Sequence, residues 1–136
     1  MNFIEIWDTN NGASIDFLYI LKTINVESNL TWAILDLEAV ASERGTFSMI
    51  DLESKIEKAA TGLVMTGAEI IKIAEQLFQI VNGKFVAYRD IEDPELVIES
   101  VDSSYWTIYS PDSRVLEKLS KTYKLTKSTT ISEPPL

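Results

Sequence analysis

Between Asp90 and Asp102 the chain carries six acids and no base: Asp90, Glu92, Asp93, Glu95, Glu99 and Asp102. Carboxylates at this density have three uses: solvating a loop so that sheet edges do not stick, meeting a basic protein, or ligating a metal. The metal option is poorly served, because calcium needs oxygens at defined spacing and the loop pattern with a central glycine and terminal glutamate is absent. Pro94 stiffens the segment, and a stiff acidic loop loses less entropy when it binds a cation or a basic surface. Just beyond, Asp102-Ser103-Ser104-Tyr105-Trp106-Thr107-Ile108-Tyr109-Ser110 alternates as a strand. Tyr105, Thr107 and Tyr109 fall on one face, Trp106 and Ile108 on the other. The tyrosines either cover an outer face or anchor a partner beside the acids, as aromatic side chains do at interfaces. Glu53 and Glu57 share a helix face with Lys55 and Lys58 close by, which reads as a salt-bridged exterior rather than an acid–base pair.

Two residue types are missing, and their absence narrows the chemistry. The chain has no cysteine and no histidine. Disulfides, thiolate nucleophiles and Cys-ligated zinc are excluded, as are Ser-His-Asp and Cys-His nucleophile systems. Acid–base catalysis would need a carboxylate, lysine or tyrosine with a strongly shifted pKa. The five glycines form neither a P-loop nor a dinucleotide fingerprint. The expectation is therefore a protein that is not an enzyme and takes no cofactor and no metal.

The elements that must position these residues follow from periodicity. Phe3 to Trp7 alternates as a first strand, ended by the turn formers from Asp8 to Gly12. Ser14 is a plausible N-cap for a short helix carrying Phe17, Leu18, Ile20 and Leu21. Thr31 to Val40 is a second strand. Met49, Leu52 and Ile56 recur at helical spacing, with Gly62 as the residue past the helix end. Leu63-Val64-Met65 reads as an extended link. Thr66-Gly67-Ala68-Glu69 fits a capping box, and the apolar run through Val81 predicts one long helix closed by Asn82-Gly83. Strands follow at Lys84–Arg89, Leu96–Val101 and Tyr105–Tyr109, suggesting an antiparallel meander. A last helix begins after Pro111. The predicted class is α+β, one mostly antiparallel sheet of about five strands with helices on one face, in the order β-α-β-α-α-β-β-β-α. One domain over residues 1–124 is expected, with a frayed Ser/Thr/Pro tail over 125–136.

The 136 residues are 46% hydrophobic and 24% charged, ordinary for a soluble globular domain, but the net charge of −9 is not. That charge argues against direct contact with nucleic acid or an anionic membrane and would attract a basic protein. The first residues lack the basic region of a signal peptide and no long apolar run follows, so a cytoplasmic protein is expected.

Two stretches carry a resemblance: Thr66–Ala74 with Gln79–Phe85, and Asp102–Ser110. Over about residues 63–123 the chain resembles small acidic α+β immunity proteins of bacterial polymorphic-toxin loci, those of contact-dependent growth inhibition and related systems. The resemblance implies a cytoplasmic, non-enzymatic inhibitor that blocks one cognate toxin domain, often a nuclease with a basic cleft. It carries no site residue across, because each such protein uses its own surface. The partner-binding residues expected here are Asp90, Glu92, Asp93, Glu95, Glu99, Asp102, Tyr105 and Tyr109. Alternatives are an acidic mimic that blocks a host DNA-binding enzyme, and an assembly subunit whose sheet edge pairs with a copy of itself.

Overall fold

In a computed structural model that describes residues 2–10, 12–25, 29–41, 48–89 and 93–130, the apolar alternation of the chain becomes a seven-stranded antiparallel sheet. The elements run β1 (Asn2–Ile6), β2 (Thr9–Asn10), β3 (Ala13–Ser14), α1 (Phe17–Ile24), β4 (Thr31–Ala41), α2 (Met49–Lys58) and β5 (Leu63–Thr66). They continue α3 (Gly67–Gln76), β6 (Leu77–Tyr88), β7 (Pro94–Val101), β8 (Tyr105–Ser110), α4 (Ser113–Thr122) and β9 (Thr126–Thr130). The large sheet is ordered β5-β4-β6-β7-β8-β1-β9, while β2 and β3 form a separate two-stranded hairpin.

One face of the sheet is the core. Ile4, Ile108, Ile98, Phe85 and Ile34 stand opposite one another across five strands, all fully buried. Each such side chain contributes about 1.5–3 kcal/mol when taken from water. All four helices bury their apolar stripes in this same cluster, α1 through Phe17, Ile20 and Leu21, α2 through Leu52 and Ile56. Ile70 and Ala74 of α3 and Leu116 and Leu119 of α4 complete it. Phe17 stacks on Phe85 at 4.1 Å and on Trp106 at 5.5 Å, and the Trp106 indole Nε1 donates to the Ile15 carbonyl at 2.8 Å.

The class is α+β, but the expected count of about five strands and the order β-α-β-α-α-β-β-β-α are corrected. Leu63–Thr66 is an edge strand paired with the start of β4, not a link. The capping box is present, with Thr66 Oγ1 accepting from the Glu69 amide at 3.2 Å and Glu69 Oε1 from the Thr66 amide at 3.1 Å. The helix it starts ends at Gln76, however, and Leu77 enters β6 directly. The second half of β4 requires a partner, and Leu77–Ile80 supplies it by pairing with Ala39–Ala41. Pairing in the sheet thus overrides the helical spacing of the same side chains. Asn82 and Gly83 lie inside β6 and stop nothing. Gly83 is required by close approach rather than by φ, since a Cβ there would stand 2.9 Å from the Phe85 ring and 3.1 Å from Ile80. Ser14 belongs to β3, and the N-cap of α1 is Asp16.

Of the tail expected to fray, Thr126–Thr130 forms β9, and residues 131–136 lie outside the described residues. The Asp8 carboxylate accepts from the amides of Lys124 and Leu125 at 2.9 and 2.7 Å, and the Trp7 amide donates to the Leu125 carbonyl at 2.8 Å. Those bonds deliver Thr126–Thr130 to the edge of the sheet beside β1, from Ile6↔Thr126 to Asn2↔Thr130. No helix among the described residues is long and apolar enough to cross a membrane.

Candidate functional site: the second face of the sheet

Among the described residues the face opposite the helices is built from strands. Its middle holds Val86, Val97 and Tyr109, buried side chains on β6, β7 and β8, with Phe3, Leu35 and Tyr88 packed round them. Register explains the grouping, because Phe3, Tyr109, Val97 and Val86 stand directly opposite one another across β1, β8, β7 and β6. Side chains two residues along each strand return to the same face. The next row therefore reads Lys127, Glu5, Thr107, Glu99, Lys84 and Asp36 from β9 to β4. At about 4.8 Å per strand this charged row spans about 24 Å. None of its charges is in an ion pair with a described residue. Glu99 makes no hydrogen bond to a described residue either. Beyond the row, Trp7 stacks on Tyr105 with ring centres 4.1 Å apart and planes 18° from parallel. Trp7 is 42% exposed, and its indole Nε1 donates to Glu5 Oε1 at 3.0 Å.

The expected partner-binding residues divide among four surroundings. Asp90 and Glu92 lie outside the described residues. Asp93 is exposed just before β7, and Asp102 lies just past its other end. Nine residue steps at about 3.3 Å place those two acids roughly 30 Å apart, at opposite ends of β7. Between them, Glu95 and Glu99 share the strand-built face with Val97. Glu95 is engaged, since Arg89 Nε donates to its Oε1 at 3.2 Å. Asp102 serves the turn: it and Ser103 both have positive φ, 55° and 56°, as a type I′ turn requires. Bonds from the Asp102 amide to Asn82 Oδ1 at 3.0 Å and from the Ser103 amide to the Val81 carbonyl at 2.8 Å hold that turn.

Tyr105 and Tyr109 do share a face, but only Tyr105 is placed to meet a partner. Tyr109 is 2% exposed, and burial, with Asp93 adding, pushes its phenol above the usual tyrosine value. A buried ring cannot serve as an exposed anchor. Sequence reasoning missed Glu5, Trp7, Lys84, Lys127 and Asp36 as members of this face. The alternation of Phe3, Glu5 and Trp7 was there to be read, but nothing local shows that β1 pairs with β8 and β9. Among the described residues no group of three or more acidic side chains is placed to hold a metal ion.

The chain was compared with family models, curated proteins and solved structures. Nothing matches in any of the three.

Proposed function

We propose that the protein is a non-enzymatic binding protein of the cytoplasm that blocks a basic protein partner, a cognate toxin domain, with the strand-built face of its sheet. The observation that carries this reading is the row of unpaired charges on that face, with Glu5 and Glu99 flanking Thr107 and the Trp7–Tyr105 stack alongside. Carboxylates so placed stand where the phosphates of a nucleic acid would lie in a nuclease cleft, while the aromatic pair supplies apolar contact area. A partner of this kind also suits a chain of net charge −9. The row favours a specific protein surface over mimicry of DNA, because Lys127 and Lys84 interrupt what would have to be continuous negative charge.

The test is calorimetric titration against the C-terminal domain of the protein encoded immediately upstream, with a toxicity assay alongside. A tight one-to-one complex that abolishes toxicity supports the proposal. The Glu5→Gln/Glu99→Gln variant is expected to bind about tenfold more weakly or worse and to lose much of the salt dependence. No heat and no protection overturn the immunity reading, and unchanged affinity in the double variant removes this face from the interface.

A further inference from the structure

A groove of about 380 Å³ runs between the β2–β3 hairpin and the junction where α3 becomes β6. Two carboxylates line it, Asp16 from the start of α1 and Glu75 from the last turn of α3. Asp16 is the N-cap of α1 yet makes no capping bond with its side chain. Neither carboxylate is in an ion pair with a described residue. Among the described residues no lysine or arginine lines the groove, and α3 has no basic residue in its last turn to meet the negative end of its dipole.

An independent feature points to a ligand. Ser14 is 8% exposed and lines the same groove, and its hydroxyl has no hydrogen-bond partner among the described residues. Its oxygen is not sealed from solvent, so at the wall of the groove the hydroxyl is open to a ligand as donor or acceptor. Its neighbours there include Leu77 and Phe78, the latter 68% exposed, which offer apolar surface to a hydrocarbon chain.

We propose that this groove binds a primary alkylammonium group, with Asp16 and Glu75 neutralising the charge, Ser14 Oγ accepting one of its hydrogens and Leu77 and Phe78 lining the alkyl stem. An ammonium head has three donors and no acceptor, which matches a wall of acceptors. The unfilled last turn of α3 adds to the attraction. Partial burial raises the Asp16 carboxyl from its ordinary value, a shift that a nearby cation offsets. The site shares no residue with the strand-built face and stands or falls separately from it.

The same chemistry is carried by a free polyamine and by a lysine side chain of a protein, and the experiment separates them. Amide chemical shifts of the full chain are followed during titration with 1,5-diaminopentane and, separately, with acetyl-Gly-Lys-Gly-amide. Saturable shifts at Ser14 and Gln79 are expected with millimolar affinity, as befits so small a ligand. Tighter binding of the diamine assigns the groove to free amines, and tighter binding of the peptide assigns it to a protein lysine. Asp16→Asn/Glu75→Gln is expected to bind about tenfold more weakly, and either single change about threefold, as befits charge-assisted contacts near the surface. Ser14→Ala should weaken binding without abolishing it. The proposal is overturned if neither amine saturates, if 1-pentanol or sodium chloride at matched strength gives the same shifts, or if the charge variants bind as the parent does.

Discussion

Replacing Gly83 with alanine tests whether this glycine is held by close packing or by backbone conformation. The new methyl would lie 2.9 Å from one Phe85 ring carbon, 3.2 Å from a second and 3.1 Å from Ile80 Cγ2. Phe85 has little room to give way, being fully buried and stacked on Phe17. Overpacking of this kind costs about 1–3 kcal/mol. Restricting the unfolded chain returns about 0.4–1 kcal/mol, so a net loss of about 1–2 kcal/mol is expected. With an unfolding entropy of about 2.1 cal/mol/K per residue, that loss lowers Tm by about 3–7 °C for a chain of 136 residues. Urea unfolding of Gly83→Ala, Phe85→Leu and the double variant forms a cycle that isolates the contact. If the clash is the cause, alanine costs less by about 1 kcal/mol or more once Phe85 is leucine. A Gly83→Ala protein as stable as the parent, or a loss undiminished in Phe85→Leu, would falsify the packing account.

Asp8→Ala removes both carboxylate bonds that deliver β9 to the sheet and is expected to weaken its docking by about 1–2 kcal/mol, discounted for partial exposure. Hydrogen exchange should then quicken over Thr126–Thr129 while core amides of β7 hold, and equal acceleration everywhere would refute a local role. Burial raises the phenols of Tyr109 and Tyr123 above their usual 10.0, with Asp93 adding at Tyr109. The folded state therefore holds both protons more tightly than the unfolded chain, and the stability this confers is present below pH 10 and lost as pH rises through the folded values. Absorbance titration at alkaline pH should show two of the five tyrosines ionising late, with Asp93→Asn bringing Tyr109 back towards the rest; a single shared transition refutes it. Tyr105→Ala should unstack Trp7, the exposed indole, costing about 0.5–1.5 kcal/mol and increasing acrylamide quenching of its emission. Unchanged quenching would mean that the stack does not shield Trp7.

Local signals in the chain were legible where the structure keeps them local. The capping box at Thr66 and Glu69 announces the start of α3, and alternation along β8 separates Trp106 and Ile108 from Tyr105 and Tyr109. What failed was whatever a distant strand decides. The end of α3 is set by β4, whose Ala39–Ala41 pairs with side chains that read as helical in isolation. Pro94 and Glu95 read as the end of a loop ahead of a strand at Leu96 because proline marks turns, yet proline at the first position of a strand is tolerated and β7 begins there. The candidate face suffered most, since Glu5 and Lys127 come beside Glu99 only through pairings between opposite ends of the chain.

The position of β1 between β8 and β9 governs the order in which the protein can be assembled on the ribosome. Ile4 has Ile108 as its partner, so β1, which precedes β8 by about a hundred residues, must wait for it before that pairing can form. Closing so long a loop slows folding and prolongs exposure to other chains. Asn2 and Thr130 stand side by side, however, so a short turn from β9 to β1 makes a hairpin of the two terminal strands. A circular permutant with that turn, opened between α2 and β5, converts the most distant pairing beside β1 into a neighbouring one. It should reach the same native sheet and reach it sooner.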